Sequence, residues 1–198
     1  MNWLAHVFLS EPDVDFRLGN LLADLVRGED RSGMSAGFLR GAHCHKAIDS
    51  FTDAHALVRR SRARLGAQHR RFSGVLIDVF YDYFLATHWR DYSSVPLDAF
   101  TADFYLAVRN RSMRLPREAQ ATMDRIIAHD LLGQYAQVAG VEHSLRRLST
   151  YLSSRWGRDF ALDSSVSVLR AYESELADDF AAFFPQLQQH VAAGSWGG

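Results

Sequence analysis

An all-α fold, a compact bundle of about eight or nine helices, is what this sequence predicts, and three observations predict it. Apolar residues recur at helical spacing along nearly the whole chain, β-branched alternating runs are scarce, and four prolines (Pro12, Pro96, Pro116, Pro185) leave long stretches unbroken. Helices are expected over about 2–9, 14–28, 35–52, 54–67, 69–90, 96–113, 116–130, 141–156 and 163–192. No linker, repeat or low-complexity tract separates them, so 1–198 reads as one domain. Within it, 1–90 forms a chemically unusual core, 91–192 packs around that core, and 193–198 is a Gly-rich tail expected to fray.

The first segment surrounds His6 with Trp3, Leu4, Ala5, Val7, Phe8 and Leu9, which predicts a buried imidazole. In 14–28, Leu18, Leu21, Leu22, Leu25 and Val26 make an apolar face, while Asn20, Asp24 and Arg27 fall at i, i+4, i+7 on a polar stripe. In 35–52, Phe38, Gly41/Ala42, His45, Ile48/Asp49 and Thr52 share one row, so His45 and Asp49 sit together on an otherwise small or apolar face. His43 lies about 200° round the same helix, so His45 is the inward member of the pair. Cys44 between them is read as a small core residue rather than a ligand. Thr52 and Asp53 are expected to cap a new helix from Ala54; were the first helix to run on, Asp53 would extend the His45/Asp49 row.

The stretch 72–86 is apolar on every side except for Asp78 and Asp82, spaced i, i+4. A helix of that kind is buried by its neighbours, and two unpaired carboxylates in it cost several kcal/mol or force protonation, so cations must be near. The segments beyond residue 91 are helical in spacing but hold no comparable cluster.

Composition limits the function classes. With 198 residues, 47% hydrophobic and 23% charged, the chain is long enough for one packed core and is neither disordered nor fibrous. A net charge of −1 gives no whole-molecule field toward nucleic acid or an anionic membrane. A single cysteine excludes an internal disulfide and a four-cysteine zinc site, which suits a reducing compartment, the cytoplasm by default. The amino terminus has no Lys or Arg before Arg17 and does not read as a secretory signal, and no window is apolar enough to span a bilayer.

Four inward polar clusters thus fall within the first 82 residues: His6, Asp24, His45/Asp49 and Asp78/Asp82. Two imidazoles with several carboxylates suit Mn²⁺, Fe²⁺, Mg²⁺ or a catalytic Zn²⁺. Metal-assisted phosphoester hydrolysis follows as the sharp reading, against a polar core satisfied by arginines and helix-terminal amides.

The segments MNWLAHVFLS, RLGNLLADLVRG (17–28), GAHCHKAIDSFTD (41–53), RRFSGVLIDVFYDYF (70–84) and THW (87–89) resemble, in that order, the acyl carrier protein phosphodiesterase family. That family is an unusual branch of the HD phosphatase and phosphodiesterase group. The resemblance implies an HD-domain-like helical fold and hydrolysis of the phosphodiester joining 4′-phosphopantetheine to the serine of holo-acyl carrier protein. It also implies dependence on a divalent metal, with manganese favoured and magnesium or iron as substitutes. Its metal ligands fall on His6, Asp24, His45, Asp49 and Asp78, and its catalytic positions on Asp24, His45, Asp49, Asp78 and Asp82. Asp82 and Asp53 are assigned to orienting ligands or taking a proton, and Arg27 and Lys46 to the phosphoryl oxygens. Two departures stand out: no adjacent His-Asp doublet occurs in 41–53, and Lys46 replaces an Arg-type residue, losing any bidentate phosphate contact. His129-Asp130 lies outside the matched stretch.

Arg59, Arg60, Arg62, Arg64, Arg70 and Arg71 carry six positive charges over 59–71 with no acid among them. Electrostatic capture of an acidic partner is the functional reading, and acyl carrier proteins are small, helical and acidic. No nucleic-acid motif is present. Trp3, Phe80, Tyr81, Phe84 and Trp89 are available to line a channel for the prosthetic arm. Two further classes remain: a metallophosphohydrolase for a nucleotide or another small phosphodiester, and a non-catalytic module binding an acyl carrier protein.

Overall fold

A computed structural model describes residues 1–196. The chain folds as α1 (Trp3–Phe8), α2 (Val14–Leu22), α3 (Gly28–Ser32), α4 (Ala36–Ala54), α5 (Ala56–Arg64), α6 (Gly66–His69), α7 (Ser73–Thr87), α8 (Leu97–Asn110), α9 (Arg117–Ala128), α10 (Val138–Trp156), α11 (Val166–Ala171) and α12 (Glu173–Ala193). Short 3₁₀ turns occupy Arg70–Phe72, Trp89–Asp91, Gly133–Ala136 and Leu162–Ser165, and no strand occurs among the described residues. No helix among them is long and apolar enough to cross a membrane.

Helix α7 is the centre, as its all-round apolar surface requires: Leu76, Ile77, Phe80, Tyr81, Phe84 and Leu85 are all buried. Helices α1, α5, α10 and α12 pack on it. From α12, Phe180 and Phe184 stack at 5.0 Å between ring centroids and cover Phe84, and burial of each such side chain contributes about 1.5–3 kcal/mol. Pro185 sits within α12, which nevertheless runs on to Ala193.

The closest packing joins α2 to α4. A Cβ on Gly19 would stand 2.0 Å from the Phe38 carbonyl oxygen, and one on Gly41 would stand 2.0 Å from that of Phe16. Each glycine therefore admits the other helix's backbone, and the two helices start from side-chain caps: Asp13 accepts from Phe16 N at 2.7 Å and Ser35 from Phe38 N at 3.2 Å. This crossing sets the distance between Asn20 and His45.

Several expected boundaries move. The helix expected over 14–28 stops at Leu22, because the chain turns through Leu25 N to Leu22 O and resumes only after Arg27; Asp24 and Arg27 consequently leave the Asn20 stripe. Thr52 and Asp53 do not cap a new helix: α4 runs through them to Ala54, and His55 accepts from Leu57 N as the cap of α5. The expected 163–192 helix divides at Tyr172 into α11 and α12. Of the tail, Trp196 packs against the core, and Gly197 and Gly198 lie outside the described residues.

The proposed aromatic channel is also corrected. Phe80, Tyr81, Phe84 and Trp89 are at most 3% exposed; Tyr81 and Phe84 pack on α12 aromatics, and Trp89 lies against Phe8 and Phe100 with its Nε1 donating to the Val95 carbonyl at 2.7 Å. Only Trp3 keeps a partly open side chain.

A candidate metal centre

His6 is buried on α1 and His45 on α4, their rings stacked 4.2 Å apart with 22° between planes. Both aim Nε2 at Asp49: His6 Nε2 lies 3.3 Å from Oδ1 and His45 Nε2 3.1 Å from Oδ2. One ligand atom from each of the three residues falls within 4.8 Å of the others.

A single residue orients both rings. Asn20 on α2 donates Nδ2 to the His6 carbonyl (2.9 Å) and to Ser10 Oγ (2.9 Å), which fixes its amide so that Oδ1 faces His6 Nδ1 at 2.8 Å. The Asn20 main-chain oxygen receives His45 Nδ1 at 2.7 Å. Both Nδ1 atoms are therefore proton donors, and both Nε2 atoms present lone pairs toward the Asp49 carboxylate. His6 Nε2 also lies 3.1 Å from the Met1 carbonyl oxygen. Lone pairs facing oxygens in this way repel unless a cation or proton lies between them. His45 Nε2 and Asp78 Oδ1 are buried atoms without a hydrogen-bond partner among the described residues, which fits a divalent ion held by this set.

The electrostatics agree. Burial pushes His6 below the ordinary histidine value and keeps it neutral. Burial would also depress His45, but the Asp49 carboxylate 3.1 Å from its Nε2 outweighs that and holds His45 above its usual 6.5. Burial would raise Asp49 in turn, yet both histidines and the terminal ammonium hold it well below the carboxylate range. That Met1 ammonium lies 3.1 Å from Asp78 Oδ1 and 3.4 Å from Asp49 Oδ1, so cationic charge already gathers here.

The other expected residues are placed around this cluster. Asp24 stands at an open edge, 76% exposed, 3.7 Å from His45 Nε2 and paired with Arg27 at 3.7 Å. Asp78 joins through the ammonium. Lys46 and His43 are exposed on α4, and Cys44 is fully buried with its thiol pushed up to about 12 by burial. Asp82 is fully buried but serves differently, because its oxygens accept Leu4 N (2.7 Å) and Ala5 N (3.1 Å), the free amides that open α1. Burial pushes Asp82 up to about 7 against those two bonds. Asp82 thereby holds in place the helix that carries His6. Asp53 is drawn away by Arg62.

The arginine run does not form one free surface. Arg60 and Arg64 both bind Asp179, a fully buried carboxylate of α12 that also accepts Ser61 Oγ at 2.7 Å. Arg62 pairs with Asp53, and Arg59 donates to the Ala54 carbonyl. The run lacks acids locally because its acids come from other segments. Arg59, Arg70 and Arg71 have no carboxylate partner among the described residues, and of the three Arg59 is held at the Ala54 carbonyl.

Comparison with known proteins adds to this geometry. The family model described as acyl carrier protein phosphodiesterase matches residues 1–187. The chain is 31% identical over 192 residues to an acyl carrier protein phosphodiesterase of Serratia proteamaculans, covering 96% of this chain and 97% of that protein. The protein of that name from Salmonella dublin is 30% identical over 97% of this chain and 98% of its own, and that from Yersinia pestis 28% identical over 96% and 97%. No solved structure matches.

Proposed function

The chain belongs to the acyl carrier protein phosphodiesterase family, and on that premise we propose that the paired imidazoles and Asp49 hold the divalent ion with which it hydrolyses holo-acyl carrier protein. The protein is a phosphoric diester hydrolase, giving apo-acyl carrier protein and 4′-phosphopantetheine. Manganese is the ion the family resemblance favours; a set of two imidazoles and carboxylates accommodates it, as it does iron or magnesium.

The observation that carries the metal assignment is the convergence of two buried Nε2 lone pairs on one carboxylate, both fixed by Asn20. His6, His45 and Asp49 form the closed side of the site; Asp78 and the exposed Asp24 complete it on the open side. A divalent ion held there would supply electrophilic help to a phosphoryl oxygen and would lower the pKa of a water. Asp24, exposed at the open edge beside His45, would serve as a proton acceptor. Arg27 and Lys46, both exposed, offer cationic groups to the non-bridging oxygens as charge develops. Asp82 acts on the reaction only through α1 and His6.

Purified protein incubated with holo-acyl carrier protein and Mn²⁺ tests this reading. Mass spectrometry is expected to show loss of the prosthetic group, abolished by chelator and by His45→Ala, Asp24→Ala or Asp78→Ala. Turnover that survives exhaustive chelation, or Mn²⁺ affinity unchanged in all three variants, would overturn the metal assignment.

A further inference from the structure

The arginines left over from the 59–71 run meet a second set on α10. Arg71 lies 4.6 Å above the Trp156 ring at the end of that helix, and Trp156 is 53% exposed. Arg147, Tyr151 and Arg155 follow one another at i, i+4 spacing along the same helix, and Tyr151 is 55% exposed. Arg70, Arg71, Arg147 and Arg155 have no carboxylate partner among the described residues, in a chain whose net charge is −1. Beyond Gly157, Arg158 lies over the Phe160 ring at 4.6 Å, while Glu142 is taken by Arg146. Two large half-open aromatic rings beside four free guanidinium groups are the composition of a recognition surface, not of a solvated helix face.

We propose that this arginine-aromatic face, formed by Arg70, Arg71 and the outer side of α10, is where the acidic carrier protein docks. The proposal rests on the preceding reading that a carrier protein is the substrate, and it relocates the docking charge from α5 to α10. Charge complementarity selects the occupant: four unpaired arginines ask for a partner with a dense acidic surface, and the carrier supplies one. Position supports it as well. The scissile phosphodiester is attached to the carrier's own serine, so the body of the carrier has to lie close beside the metal ligands rather than at the end of a long arm. Arg70–Phe72 leads directly into α7, and Asp78 follows Phe72 by six residues, about 9 Å of helical rise. The helix that carries the stripe also packs on the Gly133–Ala136 turn, whose buried Tyr135 hydroxyl accepts Asn2 Nδ2 at 2.7 Å, beside the start of α1.

The test is the double reversal Arg71→Glu/Arg155→Glu, with Trp156→Ala as a milder variant and Arg114→Glu/Arg117→Glu as a matched surface control. KM for holo-acyl carrier protein is expected to rise at least tenfold in the double reversal with kcat within twofold, with Mn²⁺ affinity and melting temperature unchanged. Its salt dependence should flatten, and the control should match the unaltered chain. Anisotropy with labelled apo-acyl carrier protein should show the same loss of binding, and this measurement stands whether or not hydrolysis occurs. If the unaltered chain binds the carrier through this face but does not hydrolyse it, the enzymatic reading fails and the docking face remains. An unchanged KM and an unchanged apo-carrier affinity in the double reversal overturn the docking face and leave the hydrolase reading intact. Tighter binding of a single-stranded RNA oligonucleotide than of carrier, lost in the same variant, would overturn it too.

Discussion

Two carboxylate clusters in this protein, one buried at Asp179 and one half-buried at Asp49, meet their charge in opposite ways. Asp179 is shut from solvent and receives Arg60, Arg64 and Ser61 from α5, so its charge is cancelled by the chain itself. Asp49 faces two imidazole lone pairs, a neighbouring carboxylate at Asp78 and the terminal ammonium, and two buried atoms around it lack partners. The first arrangement ties α5 to α12. The second is incomplete without a cation, and that incompleteness is what separates a site from a staple.

The sharpest way to break the comparison is to remove each acid in turn. Asp179→Asn should cost about 3 kcal/mol of stability in chemical denaturation, because it leaves partly buried arginine charge uncompensated, and should leave Mn²⁺ affinity unchanged. Asp49→Asn should do the reverse, lowering Mn²⁺ affinity more than 100-fold, beyond the effect usual for a supporting residue, with less effect on the metal-free melting temperature than Asp179→Asn. If both substitutions act mainly on stability, the distinction collapses.

Smaller effects refine it. Asn20→Ala should weaken Mn²⁺ binding about 10-fold, since His6 loses the side-chain acceptor that fixes its tautomer while the main-chain oxygen facing His45 stays, and Asn20→Asp should recover part of the loss by restoring an acceptor to His6 Nδ1. Titration calorimetry separates the two. The pH dependence is the mildest test. His45 is held above 6.5, so the metal-free fold gains stability below that value and loses it as pH rises through the raised one. Proton and ion compete for Nε2. Mn²⁺ affinity should therefore climb with pH above 6.5, with a proton released on binding, and His45→Ala should remove that part of the slope, measured in buffers of different ionisation enthalpy.

What the residue pattern discloses follows from which forces are local. Helical periodicity selects His45 over His43, and the apolar flanks of His6 announce its burial, because both depend on a few neighbouring residues. The role of Asn20 toward His45 stays hidden, since a main-chain oxygen leaves no mark in the residue pattern; only the close crossing at Gly19 and Gly41 brings it to the ring. Asp78 and Asp82 look equivalent on their helix, yet only the arrival of α1 assigns Asp82 to capping. The arginine run misleads for the same reason: its principal counter-charge lies 119 residues away from Arg60. Asp24 leaves the expected stripe because α2, expected to run to residue 28, ends at Leu22.

His6 rides on a helix of only six residues, too short to persist by itself and secured at its first turn by Asp82. Metal retention and the attachment of that turn are therefore one equilibrium. Each time the segment peels away, the ion loses an imidazole, so its rate of escape is paced by local opening. The amides of Leu4 and Ala5 should exchange with deuterium more slowly once the ion is bound, which makes them a clock for the lifetime of the loaded site.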